Sequence, residues 1–376
     1  MSLRYTGAWL QDGAFNPLTA PTPSYTYSLY SFGRNDYGQL GQGNTTEYSS
    51  PKQVGSLTDW ANGGNNTGPA TLLVKTNGTL WAWGRNNHGQ LGLGNTTDYS
   101  SPKQVGSLTN WLTVSSGYSF SVSITTDGKL YAWGRSNNGQ LGLGNTTSYS
   151  SPKQVGALQT WSKITTGNFF CAAIKTDGTL WAWGANNAGQ LGLGNTTDYS
   201  SPKQVGSLTN WLSITAGDYT CISIKTDGTL WSWGNNQYGQ LGLGDITNRS
   251  SPVQVGSLNT WSKVSGGSQI TAAITTVGAL FTWGRGSFGQ TGLGNTTYYS
   301  SPKQVGSLTD WSKINAVNIH CLAVKTNDTL WAWGRNANGQ LGLGNTTDRS
   351  SPVQVGALAT WGIPYTGGNY SYVLLY

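Results

Sequence analysis

The histidines, cysteines and turn aspartates are of types that could do acid–base or nucleophilic chemistry, and none stands in a pattern suited to it. The two histidines, His88 and His320, lie in different segments with different neighbours. A general base must sit within hydrogen-bond reach of the group it serves, and a lone histidine is read as a loop donor or core filler. The three cysteines, Cys171, Cys221 and Cys321, are 50 and 100 residues apart. That spacing fits no zinc pattern. Equivalent positions in separate repeats are also too distant for the ~5.5 Å Cα separation of a disulfide, so buried free thiols are expected. Asp127, Asp177 and Asp227 recur in turn sequences, where an aspartate bonds its own backbone. One to a repeat, they cannot form the close carboxylate pair of a glycosidase. The glycine-rich run from Gly84 to Gly94 lacks the Lys-Ser/Thr of a phosphate loop and opens no helix. No catalytic residue, metal site or cofactor is expected, and the chain is read as a non-enzyme.

The remaining chemistry is that of binding. Near-identical segments differ after a corner glycine, where the chain reads Arg34-Asn35-Asp36-Tyr37, Arg85-Asn86-Asn87-His88, Arg135-Ser136-Asn137-Asn138, Ala185-Asn186-Asn187-Ala188, Asn235-Asn236-Gln237-Tyr238, Arg285-Gly286-Ser287-Phe288 and Arg335-Asn336-Ala337-Asn338. A second variable patch contains Tyr118-Ser119-Phe120, Asn168-Phe169-Phe170, Asp218-Tyr219-Thr220, Ser268-Gln269-Ile270 and Asn318-Ile319-His320. Arginine and aromatic residues are the types that dominate interface hot spots. The candidate partner-binding residues are therefore Arg34, Tyr37, Arg85, His88, Arg135, Tyr238, Arg285, Phe288 and Arg335, with Tyr118 and Tyr219 from the second patch. Lys52, Lys103, Lys153, Lys203 and Lys303 form a partial ring, read as solvated guards of an outer strand and not as the dense basic patch of a nucleic-acid binder. The Asn-Thr-Thr sequons at Asn44, Asn95, Asn145, Asn195, Asn295 and Asn345 are read as turn residues.

A repeat positions these residues. The corner glycine recurs at Gly33, Gly84, Gly134, Gly184, Gly234, Gly284 and Gly334, with one step of 51 residues and 50 thereafter. A Ser-Ser-Pro-x-Gln-Val-Gly marker and a lone tryptophan, at Trp60, Trp111, Trp161, Trp211, Trp261, Trp311 and Trp361, give the same seven. The extra residue falls in Asn65-Asn66-Thr67-Gly68-Pro69, a loop insertion. Only 9% of the 376 residues are charged, so the net charge of +7 is thinly spread. The 54 glycines sit at fixed repeat positions, which marks turns.

Each unit reads as four short strands, exemplified by residues 161–164, 169–175, 180–183 and 201–205. Asp177-Gly178 is expected to make a type I′ turn with both residues at positive φ, and Asn327-Asp328, which lacks the glycine, is the weakest of these turns. Proline in the fourth strand suits an outer edge. The chain ends on a second strand, Tyr370-Ser371-Tyr372-Val373-Leu374-Leu375. The missing third strand is found at the other end, Ser28-Leu29-Tyr30-Ser31-Phe32-Gly33. The expectation is an all-β, seven-bladed β-propeller of four-stranded antiparallel blades, one blade closed jointly by N- and C-terminal strands. Residues 25–376 form this propeller. Residues 1–24, with Pro17, Pro21 and Pro23, form an extended arm, with Trp9 and Phe15 as candidate anchors.

The repeated Leu-Trp-Ala-Trp-Gly-x-Asn-x-x-Gly-Gln-Leu-Gly-Leu-Gly is similar to the repeat of the RCC1 (regulator of chromosome condensation) family over residues 27–376. The resemblance implies a seven-bladed propeller. The family's founder promotes nucleotide exchange on a small GTPase through an inserted β-wedge and acidic and histidine residues. No comparable insertion interrupts a unit here, and no exchange residue carries over. The opening and the arm resemble those of phage structural proteins. The leading expectation is a non-enzymatic interaction or structural module of a virion or bacterial surface, bound to a protein partner. The alternatives are an exchange factor for a small GTPase and a glycan-binding lectin. No signal peptide and no run of 18 apolar residues is present. The expected location is virion or cell-surface associated, or otherwise cytoplasmic.

Overall fold

Every 50-residue unit carries the pattern of an antiparallel meander, and the computed structural model describes residues 27–64 and 66–376 as seven such sheets. Six blades are continuous in the chain: blade one spans residues 60–104, two 111–154, three 161–204, four 211–254, five 261–304 and six 311–354. Blade three is representative, with Trp161–Thr166 innermost, then Phe170–Lys175, Leu180–Gly184 and the outer Tyr199–Gln204. Blade seven is built from both ends of the chain. Trp361–Thr366 and Tyr370–Leu375 pair with Ser28–Gly33 and Tyr48–Gln53. Ser28 lies opposite Leu375 and Gly33 opposite Tyr370. The innermost strands of all seven blades line a central cavity of about 420 Å³, contributing Asn62, Val114, Ile164, Ile214, Val264, Asn315 and Pro364. Trp9 and Phe15 lie outside the described residues.

Alternation places one large side chain from each third strand in the cleft between blades. Trp183 is fully buried, tilts against Trp161 at 5.9 Å, and packs with Leu130, Leu141 and Phe120 of blade two. Burying an indole removes roughly 150–250 Å² from water, on the order of 4–6 kcal/mol of transfer free energy. Its Nε1–H donates to the Gln140 carbonyl of blade two at 3.1 Å. The same carbonyl accepts from the Cys171 thiol at 3.4 Å. In other blades a hydroxyl occupies that place: Ser121 donates to the Gln90 carbonyl and Ser371 to the Gln340 carbonyl, each at 2.8 Å. Cys171, and likewise Cys321 at 3.6 Å from the Gln290 carbonyl, are weak-donor substitutes for serine or threonine; all three cysteines are free and buried, and burial raises their pKa.

The Gly-Gln-Leu-Gly corner is the latch between blades. Gly139 has φ +74°, and a Cβ there would lie 2.4 Å from the Ser200 Cα of the next blade's outer strand. Two turns later the Gly144 N–H donates to the Ser200 carbonyl at 2.8 Å. The last latch joins blade six to blade seven, with the Gly344 N–H donating to the Ser49 carbonyl at 2.8 Å. Blade seven meets blade one through tyrosines: the Tyr372 hydroxyl donates to the Gly64 carbonyl at 2.7 Å and Tyr370 to the Ala70 carbonyl at 3.0 Å.

The strands run slightly further than expected from the sequence, because the inner strand continues to Thr166 and the outer one starts at Tyr199. The hairpin turns need correction. Gly178 has φ +77° but Asp177 does not share a positive φ, so the turn is not type I′. The Gly178 N–H reaches the Lys175 carbonyl and the Lys175 N–H the Thr179 carbonyl, the pattern of a three-residue loop with a left-handed glycine. Asp177, itself without a positive φ, accepts from the Thr179 N–H and hydroxyl and braces the turn. Asp328 takes the glycine's place at φ +59°.

Candidate functional site

Strand direction alone sends both variable patches to the same face. The loop between innermost and second strands and the loop between third and outer strands both leave a blade at the end opposite its hairpin turn. The backbone ties them together. The Arg135 N–H donates to the Ser119 carbonyl, Ala185 to Phe169, Asn235 to Tyr219, Arg285 to Gln269 and Arg335 to Ile319, all at 2.8–3.0 Å. Two patches separated by about fifteen residues in sequence are thus one surface.

Within the corner loop, the second variable position proves structural. Asn86 is fully buried; its Oδ1 accepts from the Leu91 N–H at 2.9 Å and its Nδ2 donates to the Asn95 carbonyl at 3.0 Å. Asn95 in turn accepts from the Thr97 N–H at 3.1 Å, so the sequon asparagines are turn residues as expected. Gln90 accepts from the His88 N–H at 2.9 Å. These bonds fix the loop and aim the first and fourth positions at the neighbouring blade.

The fourth position of one blade meets the first position of the next. The Arg85 guanidinium lies 4.7 Å from the Tyr37 ring, Arg285 5.2 Å from Tyr238, and Arg335 4.9 Å from Phe288. Burial, and then the positive charges of Arg135 and Arg85, lower the pKa of His88. Arg135 lies 5.8 Å from the Phe169 ring, which packs at 6.1 Å against the exposed Tyr118. An aromatic ring or imidazole at position four is followed by arginine in the next blade in each of these four cases. Where position four is Asn138 or Ala188, the next blade carries Ala185 or Asn235. The offset of 47 or 48 residues was readable in the sequence, but only once the ring places loop beside loop.

The result is two arcs. One runs Tyr37, Arg85, His88, Arg135, Phe169 and Tyr118 across blades seven to three. The other runs Tyr238, Arg285, Phe288 and Arg335 across blades four to six. Tyr298, which sequence reasoning missed, joins the second arc. It packs at 5.9 Å on Tyr238 and accepts from Arg285 Nε at 3.2 Å. Arg285 Nη1 also donates to Gln269 at 2.6 Å. Arg135 differs: its Nε–H is buried with no hydrogen-bond partner among the described residues. Two expected residues stand outside the arcs. Arg34 turns onto Asp36 at 2.5 Å, and Tyr219 makes no ring contact with either arc among the described residues. Burial raises the pKa of Asp218, beside Tyr219, although Ser268 and Asn168 bond it.

A stacked guanidinium keeps its in-plane N–H groups for a carboxylate or carbonyl. Such a surface suits recognition and holds no nucleophile–base pair. Among the described residues no three His, Cys, Asp or Glu gather as metal ligands, and no helix is long and apolar enough to cross a membrane. The lysine ring lies along the rim, as with Lys52 at 4.2 Å from Tyr48 and Lys103 at 5.6 Å from Tyr99. The tryptophans that would stack a sugar are mostly buried between blades.

Comparison with known proteins places these features in context. The family model of the regulator of chromosome condensation (RCC1) repeat matches residues 28–61, 77–124, 127–174, 177–224, 227–274, 277–324 and 327–362. Among curated relatives, the protein RCC2 homolog of Xenopus laevis is 45% identical over 83 residues, 20% of this chain and 15% of that protein. The ultraviolet-B receptor UVR8 of Arabidopsis thaliana is 36% identical over 86 residues, 22% of this chain and 19% of that protein. The mouse E3 ubiquitin-protein ligase HERC2 is 34% identical over 104 residues, 26% of this chain and 2% of that protein. The matches thus span less than a fifth of these relatives' own length. Among solved structures, human WBSCR16 superposes with a TM-score of 0.82 at 21% identity, covering 93% of this chain and 98% of that one. Prp20p of Saccharomyces cerevisiae superposes with a TM-score of 0.81 at 20% identity, covering 96% of each. At these identities the likeness shows a shared fold.

Proposed function

The chain belongs to the RCC1 repeat family, and from that premise we propose that it is a non-enzymatic docking propeller whose protein partner seats on the two arginine–aromatic arcs. The carrying observation is the pairing across blades of Tyr37 with Arg85, Tyr238 with Arg285 and Phe288 with Arg335. Otherwise near-copied blades diverge here. Pre-stacked rings and guanidinium groups lose little conformational freedom on binding, which favours affinity. The virion or surface setting expected from the sequence finds no support among the relatives and is set aside.

Exchange on a small GTPase is the second reading. The full-length likeness to Prp20p, a protein described by its binding to Gsp1p and histones, favours it. The two readings share a docking face and differ in what docking does. Affinity capture with the tagged chain, followed by mixing the captured protein with fluorescent GDP, separates them. A captured GTPase that releases GDP at least tenfold faster with the propeller present establishes exchange. A stoichiometric partner that binds no nucleotide, or whose release rate is unchanged, establishes docking alone. Failure to retain any protein at stoichiometric level overturns both.

A further inference from the structure

The two arcs differ in how their arginines are satisfied. In the second, Arg285 is committed to Tyr298 and Gln269. Outside the arcs, Arg34 pairs with Asp36 and Arg249 with Asp245, each at 2.5 Å. In the first arc, Arg85 and Arg135 stand against the rings of Tyr37 and Phe169. Among the described residues neither has an ion pair or a side-chain hydrogen bond. Arg335 is likewise unbonded, but its neighbour in the arc is the committed Arg285. The first arc thus sets two uncommitted guanidinium groups on adjacent blades. With them is His88, half-buried like both arginines, on which Arg135 and Arg85 both act electrostatically.

The carboxylates of these corner loops are committed or missing. Asp98 of blade one accepts from the Asn86 N–H at 2.6 Å. Asp198 of blade three accepts from the Asn186 N–H at 2.7 Å and from Asn138 Nδ2 at 3.2 Å. The equivalent residue of blade two is Ser148, whose hydroxyl accepts from the Ser136 N–H at 3.1 Å. The blade that carries Arg135 therefore lacks this acid. The buried Nε–H of Arg135 has no acceptor, a cost that an incoming acceptor would relieve. Because no side-chain hydrogen bond holds the guanidinium, turning it towards a ligand breaks none. Tyr118, packed on the same Phe169 ring, is 41% exposed.

We propose that Arg85, His88 and Arg135 form a phosphate site, which takes a phosphorylated side chain of the protein partner. The inference rests on the docking role of the arcs and names what the first arc reads. Two guanidinium forks and an imidazole match the three oxygens and nearly double charge of a phosphate monoester better than the single charge of a carboxylate. The dianion also favours proton uptake by the imidazole, which adds a further charged donor. The exposed Tyr118 ring offers an apolar surface to the residue beside the phosphate.

The test uses the full chain, its two histidines isotope-labelled for NMR, and the peptide acetyl-Gly-Tyr-phosphoserine-Gly-amide with its serine and aspartate counterparts. The phosphopeptide is expected to bind at least tenfold more tightly than either counterpart and, at saturation, to raise the pKa of His88 by at least one unit. Arg85→Gln/Arg135→Gln should weaken its binding at least tenfold. Lys203→Gln/Lys303→Gln removes the same charge from lysines that lie against Tyr199 and Tyr299 and should weaken it less than twofold. Equal affinity for the phosphoserine and aspartate peptides, an unmoved His88, equal losses in the two double variants, or no binding at millimolar peptide overturns the proposal. Phosphatase treatment of the captured partner separates this inference from the docking reading. Lost capture supports the phosphate site, whereas undiminished capture overturns it and leaves docking on the arcs standing.

Discussion

A neutral histidine joins blade six to blade seven. His320 is fully buried, its Nε2 lies 2.9 Å from the Ser371 hydroxyl, and burial lowers its pKa to about 3. The unfolded chain takes up that proton below about pH 6.5. The stability that depends on a neutral ring is therefore complete above pH 6.5 and is lost as pH falls from there towards 3, by up to ~1.4 kcal/mol per pH unit. Urea unfolding at pH 7, 5.5 and 4.5 should show a steeper loss for the parent than for His320→Gln; parallel losses would place the acid sensitivity elsewhere. The cysteines give the opposite expectation. Cys321 makes the 3.6 Å bond to the Gln290 carbonyl that a serine makes at 2.8 Å in blade seven. Cys321→Ser should be neutral or stabilising by up to about 1 kcal/mol, read as a shift in the urea midpoint. Neither histidine nor cysteine suggested catalysis in the sequence, and repeat position decided their roles. The sequence could not separate the pinning asparagines from the contact arginines, because both vary in the same short loop.

At the scale of the element, the corner loop explains why so many glycines recur. Gly139 and Gly156 both have positive φ, at +74° and +64°. A Cβ on Gly139 would strike Ser200 Cα at 2.4 Å, whereas nothing lies within 4 Å of one on Gly156. Left-handed backbone alone costs an alanine about 1–2 kcal/mol. Gly156→Ala should therefore destabilise by about that much. Gly139→Ala should exceed it by at least ~2 kcal/mol, because the latch must open. Thermal unfolding of the two variants decides the matter, and equal losses would mean that the latch is not under close contact. Strands, turns and corners were legible because each repeats seven times. The type I′ expectation failed because an Asp-Gly pair fits several turns. The same loop forms at Val277-Gly278 without an aspartate, the Thr275 N–H donating to the Ala279 carbonyl at 3.0 Å, so loop length and the left-handed glycine set the turn and Asp177 only braces it.

The whole molecule is a closed ring, and closure turns a linear repeat into a surface. Blade seven, made from both chain ends, was legible from the missing third strand alone. The two arcs were not, because Tyr37 and Arg85, or Phe288 and Arg335, become neighbours only across the blade boundary. The near-identical scaffold makes the arcs stand out as the face where blade differs from blade. Partner affinity measured by calorimetry tests the docking face most directly. The comparison is between the parent chain, the double variant Arg85→Ala/Arg335→Ala, and Val277→Ser, which alters a hairpin turn 68% exposed at the other end of blade five. Losing two ring-stacked guanidiniums should cost the fold no more than about 1 kcal/mol each. The dissociation constant should rise at least tenfold in the arginine double variant and stay unchanged in Val277→Ser. An arginine double variant that binds within twofold of the parent would contradict it.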